Sequence, residues 1–254
     1  MNETAGIWAL LGLAAYAAGV LNAIAGGGSF LTFPALVFAG ISPISANATS
    51  AVAVSPGYLG SSLGLRRELA LVPWPQLRRE MLISALGGWF GAMLLLVTPA
   101  RVFSGLVPWL LLFATLLFAL GPRWVRVGAP AADAPLVRWR APALFAVSVY
   151  GGYFNGGLGI LLMALYTLAG ESRLPVANAL KNLNSFLLSL LSVAAFAWAG
   201  AIAWPQALWM MAAATLGGYH GARLARWLSP RWVRGVVIMT GTVMSVAFFA
   251  RSFA

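Results

Sequence analysis

Ala46-Asn47-Ala48 returns as Ala177-Asn178-Ala179, Trp74-Pro75-Gln76 as Trp204-Pro205-Gln206, and the GGWFGA beginning at Gly87 as the GGYHGA beginning at Gly217. Pro99 returns as Pro230, and the cluster Gly26-Gly27-Gly28 as Gly157-Leu158-Gly159, each cluster preceded by an asparagine, Asn22 or Asn155. The offset stays near 130 residues throughout, which is the mark of a duplicated structural unit. A chain of 254 residues that repeats at half its length folds as two like halves. We place them at residues 1–120 and 141–254, with the polar, arginine-rich stretch 121–140 as the linker between them.

Composition says what solvent these halves meet. Apolar residues make up 61% of the chain and charged residues only 8%, far from the rough quarter charged of soluble domains. A soluble enzyme is excluded on that balance, and lipid is the expected solvent. The formal charge of +11 would point to a polyanion in a soluble protein; here it belongs to membrane topology, and no nucleic-acid partner is expected. The chain has no cysteine, so disulfides, thiolate metal sites and cysteine nucleophiles are absent. MNETAG carries no basic residue, so the first apolar segment is expected to belong to the mature protein and not to a cleaved signal.

Both halves have one outline. In the first, Ala5 to Ala25 meets the glycine cluster, and Ser29 to Gly40 follows. At about 1.5 Å per residue that piece is too short for a hydrocarbon layer of about 30 Å. Three long segments come next, near Ile44 to Leu65, Gln76 to Val97 and Ala100 to Leu120. The second half runs Ala141 to Gly157, Ile160 to Gly170, Pro175 to Gly200, Pro205 to Trp227 and Pro230 to Phe249. Ser55-Pro56-Gly57 is expected to break or kink its helix. Trp74, Trp124, Trp139, Trp204, Trp227 and Trp232 fall at segment ends, where amphipathic rings favour headgroups; Trp89 and Trp109 are expected in the core.

Suppose each Gly-interrupted opening segment enters and returns on one side. Then Arg66, Arg67, Arg78, Arg79, Arg123, Arg126, Arg138, Arg140, Arg173, Lys181, Arg223, Arg226, Arg231 and Arg234 share a side of the membrane, and only Arg101 and Arg251 face the other. If each opening segment crossed once, Arg223 to Arg234 would move outside. The positive-inside rule selects the first arrangement. The expectation is an all-α polytopic membrane protein of two inverted-topology repeats, each a Gly-interrupted broken-helix hairpin plus three transmembrane helices. The linker is cytoplasmic and both termini lie outside, as in many secondary transporters.

Irregular backbone survives in a membrane only where protein or a wet cavity satisfies it. Gly26, Gly27, Gly28 and Ser29 permit such backbone, and the short helix that follows aims its free N–H groups and positive dipole end at the cluster. Gly157 and Gly159 provide the second such end. Two helix N-termini meeting near the midplane suit a small oxyanion; tight helix packing is the other reason for glycines in such a place. Polar residues of the next segments, Asn47, Thr49 and Ser50 in one half and Asn178, Lys181, Asn182 and Asn184 in the other, interrupt apolar helices and face a cavity or partner helix. Lys181 lies about 9 Å into its helix, within reach of the surface by snorkelling or of an anion as its countercharge. Its repeat partner is Ser50. We take Asn22, Asn155 and these glycines and polar residues, Asn184 apart, as the substrate-binding set. No cofactor or metal is implied.

Glu3, Glu68, Glu80, Asp133 and Glu171 are expected in or near loops, leaving no deep carboxylate to carry protons. His220, which replaces Phe90 in the repeated motif, is the candidate for proton coupling, although a lone histidine between helices is more often structural. Sodium coupling would need only the carbonyl and hydroxyl oxygens that broken helices offer. Oligomeric state is not legible.

AIAGGGSFLTFPAL, the turn at Pro43 and SANATS, with a weaker copy in the second half, resemble the sulfite exporter TauE/SafE family of membrane permeases. The likeness spans Gly6 to Phe249. It implies transport of small sulfur-containing anions such as sulfite, sulfonates or sulfoacetate across a bacterial inner (plasma) membrane, with sites at the paired glycine clusters and the polar helices after them. The sequence departs from the pattern at the second cluster, GGLG, and at Lys181. A membrane-embedded enzyme would need a nucleophile, metal cluster or acid/base pair that the apolar segments do not supply. A non-transporting partner or assembly factor would not need two inverted hairpins. A transporter of another small anion, such as a carboxylate, is the remaining alternative.

Overall fold

Each glycine cluster turns the chain back on itself. In the computed structural model, which describes residues 2–24, 27–124, 137–224 and 230–253, helix α1 (Asn2–Ile24) is followed by the short α2 (Ser29–Phe38). Val37 and Phe38 at the end of α2 share a groove with Leu10 of α1, so α2 runs back along α1. Likewise α8 (Leu158–Leu168) returns along α7 (Arg140–Tyr153), bringing Tyr166 under the Arg140 guanidinium at 5.1 Å. With 10 and 11 residues, α2 and α8 are about 15 Å long, half a hydrocarbon layer.

Both short helices stop in the same manner. Gly40 and Gly170 take φ of +86° and +89°, values that favour glycine. Ile41 N–H then donates to Leu36 O, and Glu171 N–H to Tyr166 O, closing the helix ends in Schellman motifs.

The long helices are α3 (Pro43–Gly64), α5 (Trp74–Val97), α6 (Ala100–Trp124), α9 (Leu174–Trp198), α10 (Trp204–Leu224) and α11 (Pro230–Phe253); a single turn, α4 (Arg66–Leu69), joins α3 to α5. Proline in the first turn starts α3, α5 and α9, where its missing N–H has no helical acceptor to lose. Every regular element among the described residues is α-helix. Four of them, over Thr4–Ala23, Trp74–Val97, Ala100–Leu117 and Leu174–Trp198, are long and apolar enough to cross a bilayer. The protein is an all-α polytopic membrane protein.

The halves exchange their opening helices. Helix α1 packs along α10 of the second half, and α7 packs along α5 of the first, while α3 meets α9 and α6 meets α11. The repeated GGxxGA motifs make the exchange. A Cβ on Gly217 would meet the Tyr16 carbonyl, one on Gly91 the Val149 carbonyl, and one on Gly152 the Gly88 carbonyl. These helices therefore touch backbone to backbone, the small-residue packing that membranes favour.

Two expectations change. The helix is not broken at Ser55-Pro56-Gly57: α3 runs through it, because the Ser55 hydroxyl donates at 3.0 Å to Val52 O, the carbonyl that Pro56 leaves without its N–H. Trp89 and Trp109 are not core residues; they are 46% and 59% exposed on the outer surface, where acyl chains serve an indole as well as a protein interior does. Helix α6 runs to Trp124. Residues 125–136 of the expected linker, and Trp227, lie outside the described residues.

Candidate functional site

Helices α2 and α3 of the first half reach the second glycine turn. Phe33 of α2 packs edge-to-face on Phe154 of the second turn, centroids 5.5 Å apart, and the Asn47 amide of α3 donates to Tyr153 O at 3.2 Å. Gly27 and Gly157 hold φ of +96° and +75°, the left-handed conformation that lets the chain reverse and start a helix within a residue or two. Gly26 lies outside the described residues.

The turns are alike in path and unlike in hydrogen bonding. Asn22 accepts the Gly28 N–H at 2.7 Å, so its carbonyl is spent on closing its own turn. Gly28 cannot carry a side chain, since a Cβ would meet Ala18 O and the Asn22 amide. Buried Ser29 opens α2. Asn155 in the second turn is 4% exposed and neither amide atom makes a well-formed hydrogen bond, although the Tyr58 hydroxyl of α3 lies beside it. Gly157 abuts Ala114 of α6, and Gly159 sits one residue into α8.

The polar residues of α3 are spent on tertiary hydrogen bonds. Thr49 accepts the Ala203 N–H at 3.0 Å, holding the connection between α9 and α10. Ser50 pairs with Thr32 of α2 at 2.6 Å. Helix α9 differs. Asn182 donates to Asn178 O at 3.0 Å, and Asn184 donates to the Tyr166 hydroxyl at 2.7 Å. Lys181 is 8% exposed, with no hydrogen bond or ion pair to its ammonium among the described residues. Ser185 and Ser189, one and two turns on along the same face, are buried with hydroxyls that also lack a partner. Buried polar atoms left unpaired by the protein imply a water or ligand to pair them.

Sequence reasoning passed over Ser185, Ser189, Thr32 and Tyr58. The i+4 spacing from Lys181 was a usable signal for the serines; Thr32 and Tyr58 have apolar or unlike partners in the repeat, Met163 and Ser189, so symmetry did not mark them.

The carboxylate expectation is corrected. Glu80 is not a loop residue; it lies two turns into α5, 4% exposed, and pairs with Arg140 at 2.9 Å while accepting from Gln76 at 3.0 Å. It was misread because the charged run Arg78-Arg79-Glu80 looks like a solvated end, whereas Glu80 turns inward towards α7. A cavity of about 540 Å³ opens beside this pair. In the loop between α8 and α9, partial burial pushes the Glu171 carboxyl up, but hydrogen bonds from Arg173 outweigh that and hold it below the usual carboxylate range. His220 stands apart from the rest: it is on the exposed side of α10, and its Nδ1 is 2.8 Å from the Tyr16 hydroxyl of α1.

The model of the sulfite exporter TauE/SafE family matches residues 11–248. A probable membrane transporter protein of Haemophilus influenzae is 30% identical over 93% of this chain and 92% of its own length. The probable membrane transporter protein ORF9 of a Sinorhizobium species is 28% identical over 95% of this chain and 92% of its own. For the probable membrane transporter protein YfcA of Escherichia coli K12 the figures are 29%, 90% and 84%. No solved structure matches the chain.

Proposed function

We propose, from the premise that this chain belongs to the sulfite exporter TauE/SafE family and is a membrane transporter and not an enzyme, that it carries small sulfur-containing oxyanions by alternating access. The substrate lies between the two glycine turns and the polar faces of α3 and α9. One observation carries this reading: Lys181 is buried without a countercharge among the described residues. An unpaired ammonium in a low-dielectric interior costs several kcal/mol, and a bound anion removes that cost. Ser185, Ser189 and Asn155, each unpaired and buried, supply neutral hydrogen-bonding groups for its oxygens.

The architecture we assign is the inverted repeat, residues 1–120 and 141–254 about a cytoplasmic linker in a bacterial inner membrane, both termini outside. The reciprocal packing of α1 on α10 and α7 on α5 supports a two-fold relation between halves, the folding back of α2 and α8 makes each opening pair a hairpin, and the placement of the arginines gives the direction. Opening and closing then consist of one pair of exchanged helices moving against the other. His220 serves packing at the α1–α10 seam.

Flux into liposomes holding the purified protein tests the reading, with sulfite, methanesulfonate and small carboxylates as the panel. Saturable uptake of at least one is expected. Absence of saturable flux for every anion, with the protein folded, overturns it.

A further inference from the structure

Deeply buried charge is scarce among the described residues. Among the described residues, the charged side chains under a tenth exposed are Glu80 and Lys181. Glu80 is spent on Arg140. Lys181 therefore adds one positive charge to the interior that no described residue compensates, and the polar groups that follow and precede it on α9, Asn178, Asn182, Ser185 and Ser189, are neutral. The repeat offers a second position for a charge, 50, but there stands a serine already paired with Thr32.

We infer that the site takes singly charged oxyanions and rejects doubly charged ones. The inference rests on the anion-transport reading above and narrows it. The cost of a net charge in a poorly polarisable interior grows with the square of that charge. The empty site carries +1; a monoanion brings it to zero. A dianion brings it to −1, as costly as before binding, and surrenders roughly four times the Born hydration of a monoanion to get there. Helix ends do not repair the balance, because a macrodipole adds no net charge and fades within a turn, and the Gly28 N–H is already taken by Asn22. Of sulfur-containing anions, sulfonates with one charge and hydrogensulfite fit; sulfate and a sulfonate bearing a second, carboxylate charge do not.

The experiment compares methanesulfonate and acetate with sulfate and sulfoacetate, one at a time, in liposomes holding the full chain at neutral pH. The monoanions should enter at least about tenfold faster than the dianions, a difference of about 1.4 kcal/mol. Lys181→Met should abolish that preference by losing monoanion flux. Ser50→Lys, which puts a second charge at the repeat position, should raise the sulfate-to-methanesulfonate ratio at least about tenfold. Dianion flux equal to monoanion flux in the native protein, or a preference unchanged in Lys181→Met, overturns the inference while leaving anion transport standing. No flux for any of the four, nor for sulfite, overturns the transport reading itself. Should Ser50→Lys not fold, the native protein and Lys181→Met decide.

Discussion

The Glu80 carboxylate and the Arg140 guanidinium meet at 2.9 Å and join the second turn of α5 to the first residue of α7, with the Tyr166 ring beneath the guanidinium. Removing one member of such a pair strands the other. Glu80→Gln should lower stability by about 3 kcal/mol, since breaking a buried pair costs more than replacing both members. Thermal unfolding in detergent measures it, and Glu80→Met with Arg140→Met should recover most of the loss.

Close helix contact makes a graded prediction for glycines. Gly91→Leu should prevent α5 from seating on α7, because even a Cβ meets the Val149 carbonyl. Gly57 lies in a helix with open space around its Cβ position, so Gly57→Ala should stabilise by up to about 1 kcal/mol. Expression yield of monodisperse protein and melting temperature separate the two.

Ser55 and Pro56 act as a unit. Ser55→Ala should cost about 1 kcal/mol by leaving Val52 O without a donor, and the cost should fall when Pro56→Ala restores the backbone N–H. A double-mutant cycle on unfolding reads the coupling; additivity of the two changes would refute it.

Lys181→Ala should raise KM for the transported anion at least tenfold, the loss of about 1.4 kcal/mol of binding. Arg101→Ala, at an exposed position opening α6, should not. Equal effects in initial-rate uptake would assign Lys181 to topology alone.

Because the native chain lacks cysteine, single cysteines report sidedness cleanly. Gly128→Cys and Ala201→Cys should label with an impermeant maleimide from opposite faces of sealed vesicles. Labelling from one face would refute the inverted arrangement.

Most of the helices were legible because prolines and glycines punctuate them: Pro43, Pro75, Pro175 and Pro230 start segments and Gly40, Gly170 and Gly200 end them. The short lengths of α2 and α8 were legible too. What the pattern did not carry was orientation about each helix axis. In lipid both faces of a helix are apolar, so Trp89 and Trp109 gave no sign that they point outward, and Glu80 none that it points inward. At the site, local composition marked Asn22 and Asn155 equally. Only the fold separates an asparagine that closes its own turn from one whose amide is left over.

The exchange of opening helices bears on how the protein comes to exist. Helix α1 leaves the ribosome long before α10, yet its glycine seam belongs to α10, some two hundred residues later. Until α10 is made, Gly12 and Gly19 lack their neighbours Trp209 and Ala214, and the first hairpin is without the seam that α10 provides. The early part of the chain therefore stays unassembled in the membrane until synthesis is nearly complete, and long-range docking, not helix formation, sets the pace of maturation.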